Sequence, residues 1–344
     1  MRVLQSLAIV LALMLVAYLG VEMPGGRTLF GVVLPWLAFA TFVFFFVAKI
    51  VGWAKSPVPF RIPTTCGQEN SLPWIKQNKL DCPSTTGGVV GRMLLEVFLF
   101  RSLFRNTRAE IHEGPKLAYG SSKYLWLFGL MFHYSFLVIV LRHMRLFTNP
   151  APFFVHALEF GDGFLQVGAP PIYITDLVFL GAVTFLFARR VVLPAIRYIS
   201  LPADYFPLFL ILGIGLTGVT MRYFLRVDVI SIKILTHGLV TFQFSAPLDN
   251  IGSLLFVHLF LVTTLMAYFP FSKLMHMGGV FLSPTRNLAN NSRMVRHINP
   301  WNDPSIKPHS YAAYEDDFRE FMVEAGLPVE KELEPKADEP AASE

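Results

Sequence analysis

Residues 121–147 read SSKYLWLFGLMFHYSFLVIVLRHMRLF, and residues 250–282 read NIGSLLFVHLFLVTTLMAYFPFSKLMHMGGVFL. Each is an apolar run long enough to cross a bilayer, for which about 20 residues suffice. Each also carries two histidines: His133 and His143 in the first, His258 and His276 in the second. A histidine at membrane depth is costly unless something uses it, so all four are candidate functional residues. Two histidines on each of two helices is the arrangement that a pair of bis-histidine haems stacked across a membrane requires. The reading that follows is an all-α membrane protein organised around a di-haem b bundle.

The rival reading makes these histidines polar core residues that hydrogen-bond between helices. A zinc or di-iron site would want closer clustering and usually carboxylates, and neither stretch contains Asp or Glu. If the two helices run antiparallel, the early histidine of one meets the late histidine of the other. That pairs His133 with His276 at an inner haem and His143 with His258 at an outer one. The spacings are unequal, about 15 Å of helical rise in the first stretch and about 27 Å in the second. A kink at Pro270, between the two histidines of the later stretch, is one way to close the difference.

Composition fixes the class. Of 344 residues, 53% are hydrophobic and 15% charged, against about 25% charged in soluble domains. The formal charge of +5 points to membrane topology and not to nucleic acid. The two cysteines, Cys66 and Cys82, form neither a thioether attachment motif nor an iron–sulfur set. Any haem is therefore held by side-chain coordination, and any cluster belongs to another subunit. In a reducing compartment a structural disulfide between the two is disfavoured.

Six spans are expected: Val3–Val21, read as a retained helix and not a secretory leader; Leu29–Val51; one from Lys123; Ile172–Ala188; Tyr205–Met221; and one from Asn250. Four regions follow: residues 1–52 with two helices, a loop at 53–120, the di-haem bundle at 121–282, and a tail at 283–344. Within the loop, Arg92 to Arg105 is too short to span and reads as an in-plane interfacial helix. The end of the tail, KELEPKADEPAASE, has a disordered composition. Basic residues concentrate in 53–120, around Arg189–Arg197 and after the last span. Placing them inside gives a multi-pass protein of the cytoplasmic membrane with both termini cytoplasmic.

Other residues hold secondary interest. Arg142 and Arg145 flank His143, and are either partners of haem propionates or anchors of the helix end. His156 and His237 fall in outer loops, where a quinone headgroup would meet the outer haem; Asp228 and Lys233 lie nearby. His112, His297 and His309 read as solvated. Trp74, Phe98, Phe100 and Trp301 exceed what solubility needs in the loop and tail, and mark a partner-binding surface.

Histidines ten apart on one helix and eighteen apart on a later one resemble the ligand spacing of the respiratory nitrate reductase gamma subunits. The resemblance covers roughly Ser121 to Leu282. It implies two b haems, crosswise pairing of the ligands, and electron passage from quinol to a cytoplasmic iron–sulfur subunit. The additional amino-terminal helix, the loop with Cys66 and Cys82, and the segment FLSPTRNLANNSRMVRHINPWNDP resemble the DsrM subunits of the DsrMKJOP membrane complex of sulfur-metabolising prokaryotes, over nearly the whole chain. That likeness implies a DsrK-like iron–sulfur partner, further subunits of a membrane complex, and DsrC as the disulfide or trisulfide substrate. The gamma subunits place a functional lysine in a segment whose counterpart here, EFGDGFLQVGAPP, has none, so no quinone residue carries over. The expected function is that of an oxidoreductase subunit moving electrons between menaquinol and its partner. Its rivals are another quinone-linked reductase of nitrate or heterodisulfide type, and a haem-free transporter.

Overall fold

The computed structural model describes residues 2–58, 67–114, 116–163, 170–225, 227–294, 305, 307 and 309–332. Cys66, His297, Trp301 and the acidic end beyond Glu332 lie outside these. The chain forms two compact units, Met1–Val295 and Arg296–Glu344, which are described separately.

The first unit opens with helix α1 (Arg2–Val21) and helix α2 (Gly26–Ala54). Between them Gly25 takes a left-handed backbone, φ 74°, which a residue without Cβ adopts freely. Arg27 then ties the turn to later chain by donating to the carbonyls of Leu248 and Ile251, at 2.9 and 2.6 Å. After the loop come α3 (Thr86–Leu99) and the short α4 (Arg101–Arg105), a hairpin of β1 (Thr107–His112) and β2 (Lys116–Ser121), and α5 (Lys123–Phe147). Next are α6 (Phe153–Asp162), α7 (Ile174–Val192), α8 (Pro194–Ile199) and α9 (Pro202–Phe224). The unit ends with α10 (Val229–Thr241), α11 (Ser253–Tyr268), α12 (His276–Leu282) and α13 (Pro284–Asn287).

Five of these segments are long and apolar enough to cross a membrane: α1, α2, α5, α9 and Ser253–Phe271, which contains α11. The protein is multi-pass. The remaining expected span forms the 19-residue α7, whose first turn holds Asp176 and whose last holds Arg189 and Arg190. Those charges suit the two ends of the helix dipole. Leu11, Leu15, Leu37, Phe44 and Val47 of α1 and α2 point outward, an apolar surface that lipid and not water accommodates.

α9 is the centre of the bundle, packed against α1, α7 and α11. Its sequence Gly213-Ile-Gly-Leu-Thr-Gly218 permits this, because small residues let helices approach in lipid. A Cβ on Gly215 would stand 2.6 Å from the ring of Phe179 on α7. Val10, Tyr205, Phe209, Leu210 and Leu261 fill the α1–α9–α11 interface, while Phe179, Val183 and Ile211 fill that of α7 and α9. The helices α5 and α11 barely touch each other; α7 and α9 connect them.

Among the described residues, the hairpin adds a two-stranded sheet to a mostly helical fold. β1 and β2 pair antiparallel from Thr107 opposite Ser121 to His112 opposite Lys116, around Gly114 at φ 80°. Six-residue runs on either side of a glycine turn are the right length to pair, so α5 starts at Lys123, after Ser121 has closed the ladder. The interfacial helix is broken in two at Phe100. The connections after α5 and α9, read from the sequence as outer loops, hold the helices α6 and α10.

Loop and tail fold together within the first unit. Arg92 is buried and donates to the carbonyls of Asp81, Arg286 and Leu288, and burial pushes its guanidinium below the ordinary value. Glu96 pairs with Arg286 at 3.2 Å, and Glu69 accepts from the Ser292 amide and hydroxyl at 2.7 and 2.8 Å. Asp81 is held by Arg101 and Arg105. Trp74 and Phe98 are exposed on this platform, whereas Phe100 is half-buried against the bundle and not part of its surface.

The second unit contains α14 (Tyr311–Glu324), capped by the Ser310 hydroxyl, which accepts from the Ala313 amide at 3.2 Å. The Glu315 carboxylate is buried and accepts the amides of Glu330 and Lys331, each at 2.9 Å, folding the following chain back on the helix. The Glu330 amide foremost, then the Lys331 amide and Arg319, hold this carboxyl below its ordinary 4.5. A depressed carboxylate contributes stability above its unfolded value and loses it as pH falls through the folded one. The protection factors of the Glu330 and Lys331 amides, taken relative to intrinsic exchange at each pH, should therefore fall as pH drops below 4.5. Glu315→Gln should give the lowered protection already at neutral pH.

Candidate functional site

All four histidines are anchored the same way. On α5, His133 Nδ1–H donates to the Gly129 carbonyl and His143 Nδ1–H to the Ile139 carbonyl, each at 2.7 Å. His276 Nδ1–H donates to the Lys273 carbonyl at 2.9 Å. A carbonyl only accepts, so the tautomer is fixed in each case. His258 Nδ1 meets Thr217 Oγ1 at 2.8 Å, and the single proton of that hydroxyl is within reach of the Gly213 and Ile214 carbonyls. With the Thr217 proton on a carbonyl, His258 is again the donor. Each ring thus presents Nε2, with its lone pair, as the free nitrogen. Metal-ligating histidines are oriented this way, by a second hydrogen bond on the far nitrogen.

The rings of His133 and His276 meet with centroids 6.1 Å apart and planes at 83°. His143 and His258 lie on the same two segments, ten residues from that meeting point in α5 and eighteen in the later segment. The structure therefore brings together His133 and His276, one of the two expected crosswise pairs. It also accounts for the unequal spacings. α11 stops at Tyr268, ten residues after His258, which matches the ten between His133 and His143. Pro270 lies in a tight turn, Phe269–Phe271, and Ser272 is extended, φ −120° and ψ 174°. A second turn, Lys273–Met275, then delivers His276 as the first residue of α12. Proline removes a helical hydrogen bond and clashes with the preceding turn, so the expected kink is a complete break.

The donor chemistry fits haem. Among the described residues no group of three or more His, Cys, Asp or Glu is gathered to hold a metal ion. A two-nitrogen site needs a macrocycle to complete six-coordination, which a porphyrin does. The 6.1 Å between the His133 and His276 ring centroids leaves room for a metal ion that both imidazoles would hold. Gly218 of α9 lies under His258, where a Cβ would come within 3.4 Å of the ring.

Around His143 stands a network that composition could not reveal. Arg142 is buried between Asp162 and Asp176, at 3.3 and 2.7 Å. The Thr175 amide donates to Asp162 at 2.8 Å, and the Tyr223 hydroxyl donates to Asp176 at 2.7 Å. Tyr173 is stacked between two guanidinium groups, Arg142 at 3.8 Å and Arg222 at 4.0 Å. Arg145 pairs with Glu159. Both arginines flanking His143 thus have carboxylate partners within the chain, while Arg142 Nε and Arg222 Nε are buried with no hydrogen-bond partner. Of the other outer residues, Asp228 caps α10 by accepting from the Ile230 and Ser231 amides and His156 is exposed on α6. Lys233 and His237 share a cavity of about 300 Å³ with Asn149, Ile230 and Gln243.

Residues 95–297 match the nitrate reductase gamma subunit family. The chain belongs to that family. The match extends beyond the histidine helices to α3 and the segment following α12. Two relatives cover more of the chain. The Hdr-like menaquinol oxidoreductase cytochrome b-like subunit of Archaeoglobus fulgidus is 44% identical over 286 residues, 81% of this chain and 85% of the relative. Its namesake in Archaeoglobus profundus is 45% identical over 278 residues, 79% of this chain and 82% of the relative.

The Asp162–Arg142–Asp176 cluster gives a direct test. Its side chains are 4–13% exposed, and removing one partner of a buried ion pair costs about 3–5 kcal/mol. Arg142→Met should destabilise the detergent-solubilised protein by that order, read as a lower thermal midpoint. Arg142→Lys should recover little of it, since an ammonium cannot span both carboxylates and stack on Tyr173.

Proposed function

We propose that this chain holds two b haems, one between His133 and His276 and one between His143 and His258, as the cytochrome b-like subunit of a menaquinol oxidoreductase. The observation that carries the reading is the meeting of His133 and His276, edge to face at 6.1 Å, with both Nδ1 atoms engaged by carbonyls. The names of the two Archaeoglobus relatives supply the substrate class. Each haem, when bound, supplies a one-electron carrier. The chain's own residues orient the axial imidazoles through Gly129, Ile139, Lys273 and Thr217, and exclude water with the Phe-rich helices around them. Arg142 and Arg145 stand at the His143 end, where the partnerless Arg142 Nε suits a propionate.

Menaquinol is oxidised at the outer end, beside His143 and His258. An inner site would leave that pair without a role. Lys233 and His237 line the cavity next to Asn149, six residues beyond His143 on the chain, and are placed to hydrogen-bond a quinol and take up its protons. The platform built from residues 67–105 and 284–292 lies on the cytoplasmic side with both termini. It docks an iron–sulfur subunit of the DsrK kind, with Trp74 and Phe98 exposed toward that partner. The terminal substrate is then a sulfur compound handled by the partner.

Pyridine haemochrome analysis of the purified protein should give two b haems per chain. His143→Ala or His258→Ala should remove one, and His133→Ala or His276→Ala the other. A c-type spectrum or no haem would defeat the assignment, and a single haem in intact membranes would defeat the two-site version. In His143→Ala, menaquinol should fail to reduce the remaining haem although dithionite still does. Reduction at the normal rate would place the quinol site elsewhere.

A further inference from the structure

Between α3 and α4 the chain turns on one residue, Phe100, at φ 50° and ψ 46°. This left-handed backbone is uncommon for any residue with a Cβ and an outlier for a bulky one. The surroundings hold it there. The carbonyls of Phe98 and Leu99, freed by the break, accept from Tyr134 Oη–H and Trp126 Nε1–H of α5, both at 2.8 Å. Leu103 packs over Gly129, where a Cβ would stand 3.6 Å away. Gly129 is the residue whose carbonyl anchors His133. The elbow therefore lies directly on the turn of α5 that carries the inner histidine.

The ring of Phe100 stands against that histidine. Its centroid is 4.9 Å from the imidazole of His133, with planes at 86°, and Phe132 meets the same imidazole at 4.9 Å and 80°. The hydrogen bond to Gly129 fixes one nitrogen; the two aromatic contacts limit rotation of the ring about it. The second half of α3 is roped to the chain just beyond His276, through Arg92 to the Arg286 and Leu288 carbonyls and through Glu96 to Arg286. One element thus touches the first inner histidine and braces the segment leading away from the second.

We propose that Phe100 is a positioning residue for His133, a left-handed elbow that drives an aromatic ring against the imidazole and fixes the plane in which that imidazole meets its haem. The inference rests on the reading of His133 and His276 as axial ligands. Ring orientation and the surroundings of the ligand tune a haem's potential and its low-spin signal, so the role has a spectroscopic reading distinct from stability.

The test uses the assembled complex from membranes, with redox titration and low-temperature EPR resolving the two b components. Phe100→Ala should shift the midpoint and low-spin signal of the His133/His276 component and leave the other unchanged. Phe100→Tyr should restore the parent values. Phe100→Gly relieves the backbone and deletes the ring, so it should melt no lower than Phe100→Ala yet show the same selective shift. A parent-like inner component in either the Ala or the Gly variant overturns the proposal, as does an equal shift of both components. If Phe100→Ala fails to assemble, Tyr134→Phe combined with Trp126→Phe loosens the elbow with its ring intact. The same inner-selective shift is expected there, and its absence overturns the proposal. His133→Ala separates the two levels. Retention of both haems in it sinks the ligand assignment itself; loss of one haem there, beside an unmoved Phe100→Ala, sinks only the positioning role.

Discussion

Two imidazoles from antiparallel segments can share one ligand only if they arrive at the same depth and present the same nitrogen. Most of the bundle follows from that constraint. The ten-residue interval from His133 to His143 sets the depth, and α11 is cut to the same interval by the break at Pro270. The nitrogen is chosen by acceptors that cannot donate: three backbone carbonyls and a Thr217 hydroxyl whose own proton is already placed. In lipid, each of those Nδ1–H groups would otherwise lie unsatisfied. The bonds that satisfy the membrane thus also orient the rings.

The two ends of the bundle are built from different physics. At the His143 end, Arg142, Asp162, Asp176, Arg222 and two tyrosines form a closed network of charge and ring contacts. Such a network is strong where water is scarce and loses much when a member is removed. The His133 end is aromatic: Phe100 and Phe132 border the imidazole. A polar environment at one end and an apolar one at the other give chemically distinct surroundings to two sites with identical donor sets.

Sequence carried the reading a long way because membrane spans and intramembrane histidines are strong, local signals. The spans were legible from apolar length, and the approach of His133 to His276 from antiparallel order. What stayed hidden depended on partners distant in the chain. Arg142 reads as an anchor or a propionate ligand until Asp162 and Asp176 are folded beside it. Thr217 is an ordinary helical threonine until His258 arrives, and Gly215 is unremarked until Phe179 packs on it. The hairpin at 107–121 was missed because its alternation of Ala109 and Ile111 with charged residues runs for only six residues and its strands are mostly exposed, and α14 because its composition is that of a solvated tail.

The break before His276 has a consequence for how such chains diverge. Inside a continuous helix, inserting one residue turns everything beyond it by about 100° and would swing a histidine off its partner. Here the tract between Tyr268 and His276 is a pair of tight turns around an extended serine. Turns absorb added or lost residues by local rearrangement. The interval between His258 and His276 is thereby released from helical phase, whereas that between His133 and His143 is bound to it.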